Sequence, residues 1–392
     1  MADWVTKELG FIVEIESQQI APTAFPDEIF SHYSLPAFDA IGGPLAQAGR
    51  HIESRKFRLV QSAVLVSKLN PRKMRVQAFE FTGERRAVAS TEFMVYVPRV
   101  DDLNLPYLKH LLSGTRYARR LQAVATGTTN SHVRVKPAET LRWLVRVPPL
   151  EEQRRIADVL DTIDGSIRAS ESVLAKLGDL RSALLAQLAL QCADNGTPVP
   201  LNSVGDWLSG GTPNTNEPSF WGGPIPWITA SSLREKYLSR STRTLTAAGV
   251  RAGSRLVPPG TLICVVRGMS LKSEFRVGVA AVPLAFGQDC KALQATGDWL
   301  PAYLHLQLSA RESEVLRLVD EASHGTGRLQ MPLLGALLVD RISLTEQQRV
   351  VTLYQAHEKR VSAEEAELAK LRRLRAGLAA DLLSGRVRTV AT

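Results

Sequence analysis

The amino-acid sequence repeats itself at half its length, and few architectures accommodate that. Residues 150–190 (LEEQRRIADVLD…) align without a gap on residues 344–384 (LTEQQRVVTLYQ…), an offset of 194 in a chain of 392, with 15 of 41 positions identical. Ordinary composition gives about three identities over such a stretch. The period predicts two tandem copies of one unit, each a variable domain followed by a helical segment.

The helical segments carry leucine stripes. Leu174, Leu177, Leu180, Leu184 and Leu188 recur at steps of three and four, as do Leu368, Leu371, Leu374, Leu378 and Leu382. That spacing puts one apolar face on a long helix. Asp164-Gly165 predicts a break between a short helix and a long one over about Ser166 to Leu190, roughly 38 Å long. The second long helix, about Glu358 to Ser384, has no such break. Two stripes in one chain predict antiparallel, coiled-coil-like pairing of the long helices as a spacer. The plainer alternative is that each stripe packs on its own domain.

The variable parts read as α+β. Alternation marks strands at Ser62–Leu69, Met74–Phe81 and Phe93–Val97, and again at Thr261–Arg267, Arg276–Val282 and Lys291–Gln294. A Pro-led helix follows in each copy, LPYLKHLL from Leu105 and LPAYLHLQL from Leu300. A Gly-Thr turn closes each, GTTNSHVRV from Gly127 and GTGRLQM from Gly325. The expected organisation is a first variable domain over 1–147, a helical repeat over 148–192, a linker over 193–200 within the turn-rich QCADNGTPVP, a second variable domain over 201–340 and a second helical repeat over 341–392.

No apolar run approaches the roughly 20 residues that span a bilayer, and MADWVTKELG lacks a basic-then-apolar signal pattern. Three cysteines, Cys192, Cys264 and Cys290, form no CxxC pair, so the expected compartment is a reducing cytoplasm and neither a disulfide framework nor a Cys-rich zinc site is expected. The net charge of +9 leans toward a polyanionic partner.

Searches for catalysis fail. The Pro-Pro pairs of VPPL (Val147) and VPPG (Val257) lack the acid or amide and the aromatic residue of an adenine methyltransferase tetrapeptide. No G-x-G-x-x-G and no phosphate-cradling GxxxxGK[ST] occur, and the seven histidines form no metal-binding pattern. Glu274 with Asp289-Cys290-Lys291 has the form of a Mg²⁺-dependent nuclease triple, a combination common by chance.

Binding chemistry remains. Arg55, Lys56 and Arg58 precede SKLNPRKMRV, where Lys68, Asn70, Arg72, Lys73 and Arg75 occupy a loop between two strands. A flexible basic loop of this kind can pair with phosphates and set Arg or Asn against base edges; a solvated charged turn is the alternative. The second copy offers GGTPNTNEPSFWGGPIPWI, with Thr212 and Asn214 as hydrogen-bonders and Trp221 and Trp227 as core anchors. Arg267 and Lys272 stand where Lys68 to Lys73 stand in the first copy.

Taken together, PPLEEQRRIADVLD with its striped helix, the second copy LTEQQRV…LAKLRRLRAGLAADLLSGRVR, HYSLPAFD (His32), SKLNPR (Ser67), GGTP…FWGGPIPWI, FGQDCKAL (Phe286) and HGTGRLQM (His324) resemble the DNA-specificity subunits of type I restriction–modification systems. The resemblance covers nearly the whole chain. It implies two target recognition domains, each reading half of a split, asymmetric double-stranded DNA site, and two long helices between them with pseudo-two-fold symmetry. It implies no catalysis, cofactor or metal in this chain. S-adenosylmethionine, ATP and Mg²⁺ belong to partners: two adenine methyltransferase subunits, and restriction subunits that translocate and cleave. It makes Asp289-Cys290-Lys291 a structural motif. Leu150, Glu152, Gln153, Arg155 and their mates Leu344, Glu346, Gln347 and Arg349 become the expected methyltransferase contacts. One departure stands out: the second repeat reads ISLTEQQR where the family usually has Pro-Pro. Three other readings stay open, namely a self-sufficient nuclease or methyltransferase, a specificity subunit of a stand-alone methylation or other phage-defence system, and a helical scaffold that binds no DNA.

Overall fold

The computed structural model describes residues 3–126, 133–190, 196–322 and 325–389. Along the chain the helices are α1 (Leu35–Ile41), α2 (Leu105–Ser113), α3 (Thr115–Val124), α4 (Pro137–Leu141), α5 (Leu150–Leu190), α6 (Ala247–Gly253), α7 (Pro301–Ala310), α8 (Glu312–Arg317), α9 (Met331–Ala336) and α10 (Leu344–Ser384). The chain divides into two compact units, Met1–Glu171 with Ala366–Thr392, and Ser172–Glu365. Each contains one variable domain, the start of one long helix and the end of the other.

In unit 1 an antiparallel sheet runs in the order Val13–Ile15, Phe93–Pro98, Ala63–Ser67, Val76–Phe79. A second sheet runs Gln19–Ile20, Lys56–Leu59, Ala87–Ala89, Ile29–Tyr33, Leu45–Ala48. In unit 2 the matching sheet runs Gly205–Ser209, Cys290–Ala295, Leu262–Val265, Val277–Ala280, with Tyr237–Leu238 added in parallel. The strands expected from alternation therefore form, and they occupy the same order in both copies. α2 and α7 are the two Pro-led helices; Asn104 caps α2 by accepting from the Tyr107 amide at 2.9 Å.

The buried core of unit 1 joins Val64, Met94 and Tyr107 to Ile156 and Leu160 of α5 and to Leu382 of α10. That of unit 2 joins Ile263, Leu293 and Tyr303 to Val351 and Tyr354 of α10 and to Leu188 of α5. Each domain thus packs on the first turns of its own helix and the last turns of the other. Within each unit the two helix segments run antiparallel. In unit 1, Arg375 holds Asp164 through two bonds of 3.0 and 3.2 Å. In unit 2 the mates of these residues, Arg181 and Glu358, lie 3.8 Å apart, and Arg181 also donates to the Tyr354 hydroxyl at 3.1 Å.

Two expectations change. The break at Asp164-Gly165 does not occur: α5 and α10 are each continuous over 41 residues, about 62 Å at the usual rise, so the 38 Å estimate was too short. Asp164 is occupied by Arg375, and a lone glycine costs a helix interior only about 1 kcal/mol, less than the flanking packing supplies. The linker is also shorter than expected, because Thr197–Pro200 pairs as a strand with Leu338–Arg341. This two-stranded sheet, in which Pro198 and Pro200 are tolerated at an edge, matches the pairing of Val5–Glu8 with Leu144–Val147 in unit 1. The expected turn at Gly127 and the linker residues before Gly196, Cys192 included, lie outside the described residues. Cys264 and Cys290 are buried free thiols, and burial pushes Cys264 up to about 12. Among the described residues no helix is long and apolar enough to cross a membrane.

Candidate nucleic-acid interface

The basic loop of unit 1 leaves the four-stranded sheet after Ser67, and it is tied down. Asn70 sits at φ 49°, a left-handed conformation that Asn tolerates better than most residues. The Lys73 amide donates to the Asn70 carbonyl at 3.0 Å, and the Asn70 amide to the Val133 carbonyl at 2.9 Å. Arg75, expected to face DNA, is 8% exposed. It grips Asp39 of α1 through bonds of 2.8 and 2.7 Å and donates to the Lys73 carbonyl. The guanidinium of Arg75, aided by Lys73, holds the Asp39 carboxyl well below the usual carboxylate range. Arg75 therefore shapes the loop from inside, while Arg72 and Lys73 are exposed on it and Lys68 is half-buried.

The earlier basic cluster separates in the same way. Lys56 is 7% exposed and donates to Ser54; burial lowers its pKa. Its chain neighbours Arg55 and Arg58 stay exposed, Arg55 donating to the Gln19 carbonyl. These residues border and lie in the five-stranded sheet, whereas the Lys68–Arg75 loop belongs to the four-stranded one.

In unit 2 the Gly210–Trp221 segment is held by the two tryptophans. Trp227 is 4% exposed and its indole donates to the Gly211 carbonyl at 3.1 Å. The Trp221 indole donates to the Asn214 carbonyl at 3.1 Å, and the two rings meet edge-on at 5.1 Å. Arg243 lies over Trp221 at 3.8 Å, an arrangement that favours a cation. A Cβ on Gly210 would sit 2.4 Å from the Phe286 carbonyl oxygen, so only glycine fits there. The segment presents Thr212 and Asn214 to solvent, with the Asn214 side chain accepting from the Asn216 amide.

Arg267 pairs across an antiparallel ladder with Arg328 of Thr326–Leu329, and both side chains are exposed. On its other side Arg328 stands opposite Asp320 of Val319–Ala322, so a carboxylate flanks this pair of like charges. Lys272 lies exposed on the turn that follows, Met269–Lys272. In unit 1 the corresponding bridge joins Leu69 to Arg134, and Arg134 is the 194-residue mate of Arg328. Arg267 thus stands where the Lys68–Lys73 loop stands in unit 1, and strand pairing adds Arg134 and Arg328 to the candidate surface, two residues that the sequence reading did not single out. Arg134 pairs with Glu92 at 3.1 and 3.0 Å.

The eight helix-start residues shared by the two copies divide between surface and interior. Gln153 is 1% exposed; it accepts from the Asn104 amide and donates to the carbonyls of Asp102 and Pro148. Gln347 is fully buried; it accepts from the Leu300 amide and donates to the carbonyls of Asp298 and Ile342. The networks are the same, which makes this identity a lock between helix and domain rather than available surface. Ile342 offers the carbonyl that Pro148 offers in the first copy, and Ser343 caps α10 by accepting from the Glu346 amide, so the missing Pro-Pro leaves the lock intact. Glu152 is 4% exposed, bonded to the Trp4 indole and Arg388, and Arg155 donates to Thr389. Glu346 and Arg349 form an exposed pair, Leu344 is 43% exposed and Leu150 is half-buried.

Glu274 pairs with Arg276, and the Lys291 ammonium donates to Ser209, so two members of the nuclease-like triple have local partners. Among the described residues, His110, Asp161 and Asp164 lie within ligand distance of one another. Lys109 already pairs with Asp161 and Arg375 with Asp164.

No protein-family model matches the chain. It is 27% identical over 155 residues to the specificity subunit of the type I restriction enzymes EcoR124I and EcoR124II of Escherichia coli, covering 39% of this chain and 38% of that one. It is 28% identical over 161 residues to the MjaIX specificity subunit of Methanocaldococcus jannaschii, covering 39% and 35%. The matches thus span about two fifths of the length of these relatives. Among solved structures, the HsdS subunit of Thermoanaerobacter tengcongensis superposes with a TM-score of 0.53 at 19% identity, covering 98% of this chain and 97% of that one. The type I S subunit of M. genitalium gives 0.58 at 13% identity, covering 100% and 97%. The fold is that of these subunits over the full chain, and about two fifths of the chain is similar in sequence to specificity subunits of type I restriction enzymes.

Proposed function

We propose that the chain is the non-catalytic subunit that gives a type I assembly its target: each unit's variable domain reads one half of a bipartite, asymmetric DNA site, and the helices dock two adenine methyltransferase subunits, with restriction subunits added to them. S-adenosylmethionine, ATP and Mg²⁺ chemistry resides in those partners. Phosphate contacts supply affinity and loop side chains supply choice. In unit 1 the reading surface is the Arg72–Lys73 loop; in unit 2 it is Thr212, Asn214 and the Arg267–Arg328 pair.

The observation that carries this reading is the placement of exposed apolar side chains. Leu144 and Leu338 are 53% and 46% exposed, Val159 and Leu353 37% and 57%, and Leu180 and Leu374 49% and 48%. Each pair is separated by 194 residues. Isolated exposed leucines need no explanation, but exposure repeated at one offset is what two copies of an identical partner require. The recognition loops do not repeat in this way, as two different half-sites require.

The test is a gel-shift and methylation assay of the chain assembled with its methyltransferase. Arg72→Ala should cost about 1–3 kcal/mol if the residue reads a base, and should relax one half-site only. Arg328→Ala should relax the other. Equal, sequence-independent binding by all three proteins would contradict the reading, as would methylation or cleavage by the chain alone.

A further inference from the structure

Unit 1 carries a groove between α3, the Leu144–Val147 strand and the end of α10. It has a volume of about 620 Å³, with an apolar floor of Leu111, Leu144, Ala379 and Leu383. Its rim carries Arg116, Arg119 and Arg120 of α3, Arg146 of the Leu144–Val147 strand and Arg375 of α10, and among the described residues no carboxylate lines it. Arg375 is neutralised by Asp164. Arg120 rests over Trp143 and donates to the Leu144 carbonyl. Arg146 lies over Trp4 and donates to the Ser384 carbonyl. Neither of these contacts cancels the charge, and Arg116 and Arg119 are exposed.

Arg375 has a positive mate in Arg181, but the other matching positions of unit 2 have opposite or absent charge. Asp340 stands at the 194-residue mate of Arg146 and is buried against Arg311. The helix in the place of α3 is α8, ESEVLR, which opens with Glu312 and Glu314. The arginine rim is therefore a feature of one copy, whereas Leu144 of the floor has an exposed mate in Leu338. Such a rim fits a partner present once per chain.

We propose that this groove docks one acidic amphipathic helix of a partner protein. The side of α10 from Arg375 to Ser384 presents Ala376, Ala379 and Ala380, and small side chains let a second helix come close. Nine residue steps are about 14 Å, two and a half turns, long enough to engage anchors at i, i+3, i+4 and i+7. The apolar floor takes the anchors and the arginine rim takes carboxylates on the flanks, in bidentate geometry. A nucleic-acid backbone has no apolar face for such a floor, so the complementarity favours a protein helix.

The probe is a fluorescein-labelled peptide of about 20 residues, with Leu at i, i+3, i+4 and i+7 and Glu elsewhere, titrated into the full chain by anisotropy. We expect saturable binding of one peptide per chain. Arg116→Glu with Arg119→Glu, both surface changes, should weaken it at least about tenfold, while Arg72→Glu with Lys73→Glu should leave it within about twofold. A benzophenone on the peptide should crosslink to residues 375–384. Absence of saturable binding, two peptides per chain, or equal loss from both double variants would overturn the proposal. Competitive displacement by a random-sequence DNA duplex, lost in the Arg116/Arg119 variant, would assign the groove to nucleic acid and overturn it too.

Discussion

Unit 1 and unit 2 descend from one pattern, and comparing them sorts shared residues by purpose. Gln153 and Gln347 make the same three bonds, and Tyr107 and Tyr303 donate to the equivalent carbonyls of Arg146 and Asp340 at 3.2 Å each. These identities maintain how a domain sits on its helix. Leu180 and Leu374 are shared yet half-exposed, so internal packing does not account for them. Where the units differ, charge differs most: Arg146 is exposed beside an arginine-rimmed groove, while its mate Asp340 is 1% exposed and bonded to Arg311 at 3.1 Å. A repeat thus retains its internal locks, retains the exposed leucines proposed above as a surface used twice, and releases much of the rest.

The largest effect expected from this contrast is at Asp340. Asp340→Ala takes the ion-pair partner from the buried Arg311, which keeps its bonds to Gln307, and should cost unit 2 about 3 kcal/mol, whereas Arg146→Ala at the mate position should cost unit 1 under about 1 kcal/mol. Urea titrations read by hydrogen exchange within each unit measure both; equal losses would erase the contrast. Acid should also act unequally. Burial, with Lys236 facing it, lowers His305 to about 4. A depressed histidine leaves stability intact above its unfolded value near 6.5 and removes it as pH falls from there toward 4, by up to about 3 kcal/mol. His110 is also lowered by burial, but Asp161 and Asp164 oppose the shift while Lys109 and Arg375 add to it. The urea midpoint of unit 2 should therefore fall between pH 6.5 and 4.5, and His305→Gln should flatten that fall; an unchanged slope would remove His305 from the account.

Smaller and symmetric effects test the locks. Gln153→Ala and Gln347→Ala should each cost about 2–3 kcal/mol in their own unit, since each leaves a buried amide and two carbonyls without their partner. A large loss from one and none from the other would break the equivalence. Leu180→Asp and Leu374→Asp should change stability by less than about 0.5 kcal/mol but weaken methyltransferase assembly, each at one of two sites. Native mass spectrometry would show this as loss of one methyltransferase copy; full assembly by both variants would contradict the two-copy surface.

Much of this architecture is legible in the sequence, because it rests on periodicity. The 194-residue offset, the leucine stripes and the alternating strands mark the same elements that form. What is not legible depends on partners distant in sequence. Gly165 looks like a helix break until Arg375, 210 residues later, is seen to hold Asp164. Arg75 reads as one more basic loop residue until Asp39 of α1 encloses it. Arg134 and Arg328 stand unremarked inside GTTNSHVRV and GTGRLQM, and only strand pairing brings Arg328 opposite Arg267. The groove of unit 1 draws its arginines from α3, one strand and α10, so no local stretch announces it.

The central claim is that one chain holds two independent readers of DNA. The direct measurement exchanges residues 201–340 for the matching domain of a relative, expresses the chimera with its methyltransferase and sequences the methylome. The account predicts a methylated motif whose one half is new and whose other half, set by unit 1, is unchanged. An assembled, active chimera that alters both halves, or neither, would contradict it.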